Sequence, residues 1–585
     1  MLSQLFRTKN LNDILAAAEQ PQTQLRRTLG PLNVTLLGIG AIIGAGIFAT
    51  VGTAAAGDAA RPGAGASLSL SFCITAVVCA FTALCYAEFA SMVPISGSAY
   101  TYAYATLGEL IAWIIGWDLM IEYAIGNVSV AISWSNYFRT FLHDGFGINV
   151  PGWMATDYWT ARQIPGVLES APHLFGVPIA FNFLAAAIVA ALTVVLVWGI
   201  RESARFNAVM VIIKIIVLGF FVGVAFYFVS PAEMTQNWTP FQPQGWGGTL
   251  AGAAVVFFAY IGFDAVSTVA EETKNPSRDL PIGIIASLVV CTVIYVVVAA
   301  VFTGLIPYEE LKTRLATETA EPLTMALDHV APQAKWATTI VAFGSVVAHT
   351  AVLLVFQLGQ PRIFMSMARD GLLPKVFTRV HPRFRTPHVT TILTGIVVGL
   401  LAGVANINAT VDLTNIGTLF AFVLVCIGIP VLRLKDPQRH RPFRVPLGPF
   451  LLPLLGAASC MGLMYYLPPS SWWRFVGWLM LGMAAYASYG YNHSRLAGEP
   501  GRVRRASVGQ KLGAVGFLLI AVALYVIPHD MSATRFLAAL SAADDPAHGR
   551  ANTGVSMIGI GLVLAVLGLV FGLLSRRADG DHARR

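Results

Sequence analysis

Long apolar stretches alternate with short polar segments along the whole chain. An α-helix needs about 20 mainly apolar residues to cross the hydrocarbon core of a bilayer, and fourteen stretches approach or exceed that length. They cover residues 32–55, 66–93, 109–141, 178–200, 206–229, 248–270, 281–305, 336–360, 388–404, 410–432, 449–467, 473–491, 512–528 and 553–574. The pattern predicts an all-α polytopic membrane protein with about 14 transmembrane helices.

The basic residues between these stretches predict the orientation of the helices. With a cytoplasmic N-terminus, the inner loops and tails carry 28 Lys and Arg residues and the outer ones carry nine. Cytoplasmic loops are enriched in Lys and Arg. We therefore expect both termini in the cytoplasm and a multi-pass protein in the inner (cytoplasmic) membrane, in contact with the lipid bilayer.

Composition excludes several other classes of protein. Of the 585 residues, 56% are hydrophobic and 12% are charged, with a mean hydropathy of +0.68, whereas soluble domains are about a quarter charged. The net charge of +8 comes from short loops, so it reflects membrane topology and predicts no nucleic-acid partner. The six cysteines lie in apolar stretches without metal-ligand spacing, which predicts buried thiols, no metal site and no disulfide framework.

The first span contains Gly38, Gly40, Gly44 and Gly46. Each glycine costs about 1 kcal/mol relative to alanine in a helix. One interpretation is close packing against another helix through small residues. The other, which we favour, is unwinding at Gly44–Ala45–Gly46, where exposed N–H groups and the dipole of the following half-helix favour a carboxylate.

The sixth span shows a second interruption. It reads FFAYIGFDAVSTVAEET, with Gly262 between aromatic residues and Asp264 at membrane depth, and an ionisable residue there is a functional candidate. Two interrupted segments five helices apart are typical of transporters built from inverted repeats. Freed carbonyl groups bind an ammonium group and freed N–H groups bind a carboxylate, so the pair fits an α-amino acid.

Three further ionisable positions lie within apolar spans. Lys214 has apolar residues on both sides, in VIIKIIV, and a lysine that gains and loses a proton can replace a bound coupling cation. Glu122 lies four residues after Asp118 and so on the same helix face. Glu122 is either a structural residue held by a hydrogen bond or a residue that takes part in binding the substrate or the proton. His349 is either a satisfied buried imidazole or a pocket wall that contacts the substrate side chain.

Four motifs together resemble the amino acid–polyamine–organocation superfamily and, most closely, its cationic amino acid transporter branch, which includes bacterial permeases. They are GIGAIIGAGIF (Gly38–Phe48) and the longer segments Pro94–Gly126, Phe257–Ile284 and Arg362–Pro374. The resemblance extends over about residues 25–490. It implies a LeuT-like fold in which spans one to five and six to ten form a 5+5 inverted repeat with broken helices 1 and 6.

The resemblance also implies roles for individual residues. The substrate carboxylate is expected at the unwound backbone of Gly44, Ala45 and Gly46. The amino group is expected at the carbonyl groups of Ile42, Phe258, Ala259 and Ile261. Lys214 matches the lysine that replaces sodium in proton-coupled relatives, while Asp264 and Glu122 match acidic residues that are important in that branch. No sodium site, metal or other cofactor is expected, and the proton is the predicted coupling ion.

Two departures from the family pattern leave the substrate open between cationic and neutral amino acids. Ala45 stands where relatives often carry a hydroxyl residue, so one side-chain hydrogen bond is missing. His349 stands where relatives commonly place Met or a smaller residue, at a wall that helps to select the substrate side chain. A protonated imidazole there disfavours arginine and lysine through repulsion.

We therefore expect a secondary active amino-acid transporter, with an amino-acid exchanger as the alternative and a non-transporting membrane sensor as a distant third. Motifs for hydrolytic, zinc or nucleotide chemistry are absent from the sequence, so no enzyme is predicted. The predicted division is a cytoplasmic segment (1–31), a transport core (32–434), accessory helices 11 to 14 (435–575) and a cytoplasmic tail (576–585). The sequence specifies no oligomeric state, direction of flux or role for the last two helices.

Overall fold

The computed structural model describes residues 5–9, 27–58, 60–93, 98–199, 204–317, 321–384, 386–497, 508–526 and 556–567. The predicted tail at 576–585 and most of the predicted segment 1–31 lie outside this part. Helices dominate the described residues, as expected where lipid offers the backbone no hydrogen-bond partner.

Fourteen described helices coincide with the fourteen apolar stretches. They are α1 (Pro31–Ala56, interrupted), α2 (Gly65–Met92), α3 (Glu109–Phe146), α4 (Phe183–Trp198), α5 (Ala204–Phe228), α6 (Gly245–Glu272, interrupted), α7 (Pro276–Leu305), α8 (Lys335–Arg369), α9 (His388–Val404), α10 (Ile407–Lys435), α11 (Leu451–Tyr465), α12 (Pro469–His493), α13 (Val508–Val526) and α14 (Ser556–Leu567).

Eight of these helices, α1 to α3, α5 to α8 and α10, are long and apolar enough to cross a membrane. Helices α11 and α12 meet at an angle of 117° and pass the same criterion only together, while α4 and α9 are shorter apolar helices. Described apolar segments of α13 and α14 are also short. The structure thus confirms a polytopic helical protein, whereas the count of 14 membrane-spanning helices stays a prediction.

Shorter elements connect the long helices. The helical ones are Ser98–Thr106, Gly152–Met154, Tyr158–Gln163, Pro231–Asn237, Tyr308–Thr317, Pro322–Val330, Lys375–Thr378 and Arg495–Ala497. Two small antiparallel hairpins pair β1 (Gly57–Asp58) with β2 (Arg61–Pro62) and β3 (His173–Leu174) with β4 (Val177–Pro178).

Local chemistry explains where several helices begin and end. Asn182 caps α4 by accepting a hydrogen bond from the Ala185 N–H at 3.0 Å, and Gly199 ends α4 in the left-handed region with φ of 82°. Helix α8 extends nine residues beyond the predicted end at 360. Its polar Gln360 is buried and donates to the Met120 carbonyl of α3 at 3.1 Å, so polarity there marks a helix contact, not a helix end.

The helices pack in pairs that lie five apart in the chain. Helix α2 packs on α7, α3 on α8, and α4 on α9. Helices α1 and α6 run in opposite directions: Ala41 meets Gly262, Gly46 meets Ala259, and later in α1 Ala54 lies close to Gly252. The interruptions of both helices therefore lie side by side in the interior.

Candidate functional site

The interruption of α1 separates two half-helices. The first ends at Ile42, and Ile43 has extended backbone angles (φ −73°, ψ 102°). A wide turn of helix over Gly46–Thr50 then leads into the second half. An interruption of α1 is confirmed, but it lies at Ile43 and Gly44, whereas Ala45 and Gly46, also expected to be unwound, have helical backbone.

Lys214 of α5 fills the space beside this interruption. Its side chain is completely buried, and its ammonium group donates hydrogen bonds to the carbonyl oxygens of Gly40, at 2.6 Å, and of Ile43, at 2.9 Å. These two carbonyls flank the point where the helical hydrogen-bond pattern ends. The lysine therefore occupies oxygens of the kind that a bound cation needs.

Tyr295 of α7 is a contact that the sequence analysis missed. Its hydroxyl group donates to the carbonyl oxygen of Ile42 at 2.9 Å, so one of the carbonyls expected to receive the substrate amino group already has a donor. Tyr295 is the only tyrosine in the predicted span 281–305. That single phenolic hydroxyl in an apolar span was the available signal.

The interruption of α6 follows a tight turn at Phe257–Tyr260. Gly262 has a φ of +127°, and a Cβ atom there would lie 2.8 Å from the Ala41 backbone, so only glycine fits. Its N–H donates to a carboxylate oxygen of Asp264 at 3.2 Å. This contact makes Asp264 a local stabiliser of the interruption in the described conformation.

Carbonyl groups just before this interruption are satisfied by α10. The side-chain amide of Asn415 donates to the carbonyl oxygens of Ala254, at 2.8 Å, and Val255, at 3.1 Å. Asn415 was not predicted as a site residue, because nothing near it in the chain indicates a contact with α6.

The two interruptions touch each other directly. A Cβ atom at Gly46 would lie 2.1 Å from the Ala259 Cα, and one at Gly44 would lie 2.8 Å from a methyl group of Val352 in α8. Three further predicted site residues, Ala45, Phe258 and Ile261, are all buried nearby in these half-helices. The structure thus brings the predicted backbone positions together, in a conformation that leaves no space between Gly46 and Ala259.

His349 of α8 belongs to an aromatic cluster on the second half of α1. Its ring centre lies 5.7 Å from those of both Phe48 and Tyr137. The Nδ1 atom lies 2.6 Å from the Ser345 carbonyl oxygen, so Nδ1 carries a proton. Among the described residues, Nε2 has no hydrogen-bond partner.

Asp118 and Glu122, two of the acidic residues of α3, are buried in the interior. Both carboxylate oxygens of Asp118 and one of Glu122 are buried without a hydrogen-bond partner in the described part of the chain. Glu122 lies within reach of the Thr418 hydroxyl group and close enough to Asp264 for electrostatic interaction. The structure therefore groups Glu122 with Asp264, and adds Asp118 to them.

A group of buried ion pairs around Arg61 lies on the predicted outer side. Arg61, in the hairpin after α1, donates to both carboxylate oxygens of Asp412 in α10, at 2.6 and 2.8 Å, and also pairs with Asp58 at 2.9 Å. Burial alone lowers the pKa of Arg61, but the two carboxylates outweigh it and raise the pKa above its usual value. Arg61 is one of the nine basic residues assigned above to the outer loops, and nothing near it in the chain predicts the pair with Asp412.

Comparison with known proteins adds an independent finding. The family model described as amino acid permease matches residues 29–486. The chain is 43% identical to the branched-chain amino acid permease BcaP of Bacillus subtilis and 42% identical to the methylthioribose transporter of the same species, each over 85% of this chain and 100% of the relative. It is 36% identical to the vacuolar cationic amino acid transporter 4 of Arabidopsis thaliana, over 75% of this chain and 68% of that protein.

These relatives are permeases and transporters, which agrees with the absence of enzyme motifs noted above. The extent of both matches goes well beyond a shared local motif. The chain belongs to the amino acid permease family of the amino acid–polyamine–organocation superfamily, in its cationic amino acid transporter branch.

Proposed function

We propose that this protein is a secondary active transporter that carries an amino acid across the inner membrane, driven by protons and independent of sodium. The observation that carries the proposal is the buried Lys214 ammonium group on the carbonyl oxygens of Gly40 and Ile43. Carbonyl groups freed at a broken helix bind coupling cations in transporters of this architecture. Here a covalently attached cation takes them, so a sodium ion is not required.

Proton coupling follows from what the lysine does when it changes charge. As an ammonium ion it binds both carbonyl groups and fixes the position of the α1 interruption. As a neutral amine it retains fewer donors and loses its electrostatic attraction to these oxygens. Gain and loss of one proton therefore changes how firmly the first half of α1 is held.

Alternating access is supported by the pairing of helices five apart in the chain. The contacts of α2 with α7, α3 with α8 and α4 with α9, together with the opposed α1 and α6, are those expected of a 5+5 inverted repeat. Motion of one repeat against the other exposes a central site to each side in turn. We propose this LeuT-like mechanism for the chain.

The proposed substrate site lies between the two interruptions. The substrate carboxylate binds the N–H groups of Gly44, Ala45 and Gly46. The substrate amino group binds the carbonyl groups of Phe258, Ala259 and Ile261 in α6 and that of Ile42 in α1. In the described conformation Gly46 packs on Ala259. We propose that this is the substrate-free arrangement and that substrate separates these two residues.

A neutral substrate side chain fits the aromatic cluster around His349, the proposed wall of the site, better than a cationic one. The wall consists of the rings of Phe48, Tyr137 and His349. The buried Glu321 near Tyr137 already interacts with Asn136 and Arg139. One similar protein is named for branched-chain amino acids and another for methylthioribose. We propose an amino acid with an apolar side chain as the substrate, and methylthioribose as the second compound to test.

The decisive experiment measures uptake into sodium-free proteoliposomes under an inward proton gradient. Leucine, isoleucine, valine, arginine, lysine and methylthioribose are compared as labelled substrates. We expect accumulation of a branched-chain amino acid that a protonophore abolishes. Accumulation only with sodium would contradict proton coupling, and rapid exchange without net accumulation would identify the protein as an exchanger.

Lys214→Ala tests the residue that carries the proposal. We expect loss of proton-driven accumulation in this variant. Lys312→Ala, which removes an exposed lysine from the segment Tyr308–Thr317, is the matched control and should transport as the unmodified protein does. Equal pH-driven accumulation by the Lys214 variant and the control would refute the assigned role.

A further inference from the structure

A groove runs along the outside of the helix pair α4 and α9. It has a volume of about 540 Å³ and lies away from the interruptions of α1 and α6. Its lining is almost entirely apolar and consists of Ala186, Ala190, Thr193, Val194, Val197 and Trp198 from α4 and Ile392, Gly395, Ile396, Gly399 and Leu400 from α9. Neither the family assignment nor the transport mechanism uses this surface.

The groove opens sideways, toward the predicted lipid. Val194, Ile396 and Leu400 are 48%, 56% and 60% exposed, whereas the residues at its base are small. At Gly399 a Cβ atom would have only ordinary contacts, the nearest at 3.6 Å from Val189. The small residues thus form a slot, and the larger side chains form its rims.

A basic loop closes the end of the groove that is predicted to face the cytoplasm. The Thr386 hydroxyl group donates to the Val197 carbonyl oxygen at 2.9 Å, and Gly199 packs against Phe384 and Thr386. Trp198, at this end of the groove, is 62% exposed. A tryptophan in this position is typical of the membrane–water interface.

The charge of that loop is entirely positive. Residues 371–388 contain Lys375, Arg379, Arg383 and Arg385 and no Asp or Glu. Lys375, Arg379 and Arg383 are exposed, and within the described ranges no carboxylate forms an ion pair with any of them. The Arg383 guanidinium group lies over the Phe384 ring, 5.6 Å from its centre.

We infer that this surface is a binding site for an anionic glycerophospholipid. One acyl chain lies in the groove between α4 and α9, and the phosphate group lies at the basic loop beside Arg383. An apolar slot at membrane depth with a cluster of free cations at its cytoplasmic end matches both parts of such a lipid. This inference is independent of the transported substrate.

The size of the groove favours a lipid chain over a helix from a partner protein. A helix of 16 residues, the length of α4, is about 24 Å long and about 10 Å across, which corresponds to roughly 1,900 Å³. All the empty space between the rims of the groove amounts to about 1,020 Å³, roughly half of that volume. A flexible acyl chain fills a narrow slot, whereas a helix would contact only its rims.

The test uses native mass spectrometry of the full-length protein, delipidated in detergent and titrated with phosphatidylglycerol or phosphatidylcholine of identical acyl chains. Ala190→Phe fills the groove. Ala187→Phe, an exposed position on the same helix outside the groove, is the matched control. We expect tighter binding of phosphatidylglycerol, lost in Ala190→Phe and retained in Ala187→Phe.

A second pair of variants tests the charge. Arg383→Gln should weaken phosphatidylglycerol binding about five-fold, the effect of one basic residue at an anionic membrane surface. Arg444→Gln, at an exposed arginine beyond α10, should leave it unchanged. If Ala190→Phe does not elute as a single species, Gly399→Val, which also fills the slot, replaces it.

Three outcomes would overturn the inference. They are equal binding of the two lipids, unchanged lipid binding in both groove-filling variants, and a change of oligomeric state in Ala190→Phe without a change in lipid binding. The last would identify the groove as a protein contact. Because the assay does not measure transport, failure of the transport proposal leaves its result interpretable.

Discussion

At the scale of single residues, the carbonyl groups at the α1 interruption depend on side chains from other helices. Lys214 binds the oxygens of Gly40 and Ile43, and Tyr295 binds that of Ile42. A buried carbonyl without a donor costs about 1–3 kcal/mol. Without substrate, the protein therefore needs these side chains to satisfy the carbonyl groups at the α1 interruption.

Tyr295→Phe removes one of these donors and leaves the ring in place. We expect a lower melting temperature without substrate, because the Ile42 carbonyl is then unsatisfied. We also expect a larger stabilisation by substrate, because the substrate amino group supplies the missing donor. Thermal unfolding in detergent with and without substrate measures both effects.

Tyr260→Phe is the matched control for this prediction, since the Tyr260 hydroxyl group donates to the carbonyl oxygen of Phe72 in α2 and not to α1. It should lower the melting temperature equally with and without substrate. Equal effects of substrate on the Tyr295 variant and this control would show that the Ile42 carbonyl does not receive the substrate amino group.

Two buried aspartates on facing helices should respond differently to removal of their charge. Among the described residues Asp118 has no hydrogen-bond partner, whereas Asp412 binds Arg61 through both oxygens. Asp118→Asn should change the free energy of unfolding by less than about 1 kcal/mol, because no donor stabilises a carboxylate there. Asp412→Asn should cost about 3–5 kcal/mol, because it breaks a buried ion pair.

Urea or thermal unfolding of the two variants in the same detergent compares these values. A large loss in Asp118→Asn would mean that a donor reaches this carboxylate in the unmodified protein. Both residues are aspartates within apolar segments, and only their partners distinguish them.

At the scale of elements, the sequence predicted the two interruptions because their cause is local. Gly44, Gly46 and Gly262 are poor helix residues whose spacing is visible in the chain. The contacts that complete the site are not local: Tyr295 and Asn415 come from helices far along the chain. A single sequence carries no signal that pairs them with α1 and α6.

The same distinction applies to the spans. Apolar length predicted the positions of the fourteen helices, but it misjudged the end of α8, where Gln360 is used against α3. It also predicted α4 too long, over 178–200 against Phe183–Trp198 in the structure, whereas the predicted bounds of α9 are those of the structure, His388–Val404. A helix face that is buried against another helix and one that is exposed to lipid are equally apolar, so hydropathy alone cannot distinguish the two.

Gly46→Ala tests the direct contact between the interrupted helices. The added methyl group would lie 2.1 Å from the Ala259 Cα, and backbone atoms cannot rotate away, so α1 and α6 must separate. Overpacking of this kind costs about 1–3 kcal/mol. We expect a lower melting temperature and transport reduced at least ten-fold, measured by unfolding and by proteoliposome uptake.

Gly219→Ala in α5 is the control, because nothing lies within 4 Å of the position of its added methyl group. It should keep full transport and gain up to about 1 kcal/mol in stability from helix propensity. Normal transport and stability in Gly46→Ala would show that the two interruptions are not in close contact.

At the scale of the whole molecule, contacts at both ends of α1 tie it to other elements. On the predicted inner side, the N–H groups of Thr28 and Leu29, just before α1, donate to the Glu272 carbonyl at the end of α6, at 2.9 and 3.0 Å. On the predicted outer side, Gly52 packs against Pro322 of the helix Pro322–Val330. The proposed alternating access requires one of these closures to open while the other holds.

The closure on the predicted outer side contains a buried acid. Glu321, next to Pro322, is buried, and burial raises its pKa from 4.5 to about 8, against the opposing effects of an Asn136 hydrogen bond and the Arg139 charge on α3. Tyr137 of α3 also interacts electrostatically with it. The closed outer segment thus binds a proton more tightly than an exposed glutamate does.

A closed state that binds more protons becomes less stable as the pH rises between the exposed and the buried pKa. We therefore expect protection of residues 322–330 from hydrogen exchange to fall between about pH 5 and pH 8 in the unmodified protein, after correction for intrinsic exchange rates. Glu321→Gln cannot ionise and should keep its protection over this range. Parallel declines in both proteins would place the pH response elsewhere, whereas a decline confined to the unmodified protein would identify Glu321 as the group that makes the stability of this segment depend on pH.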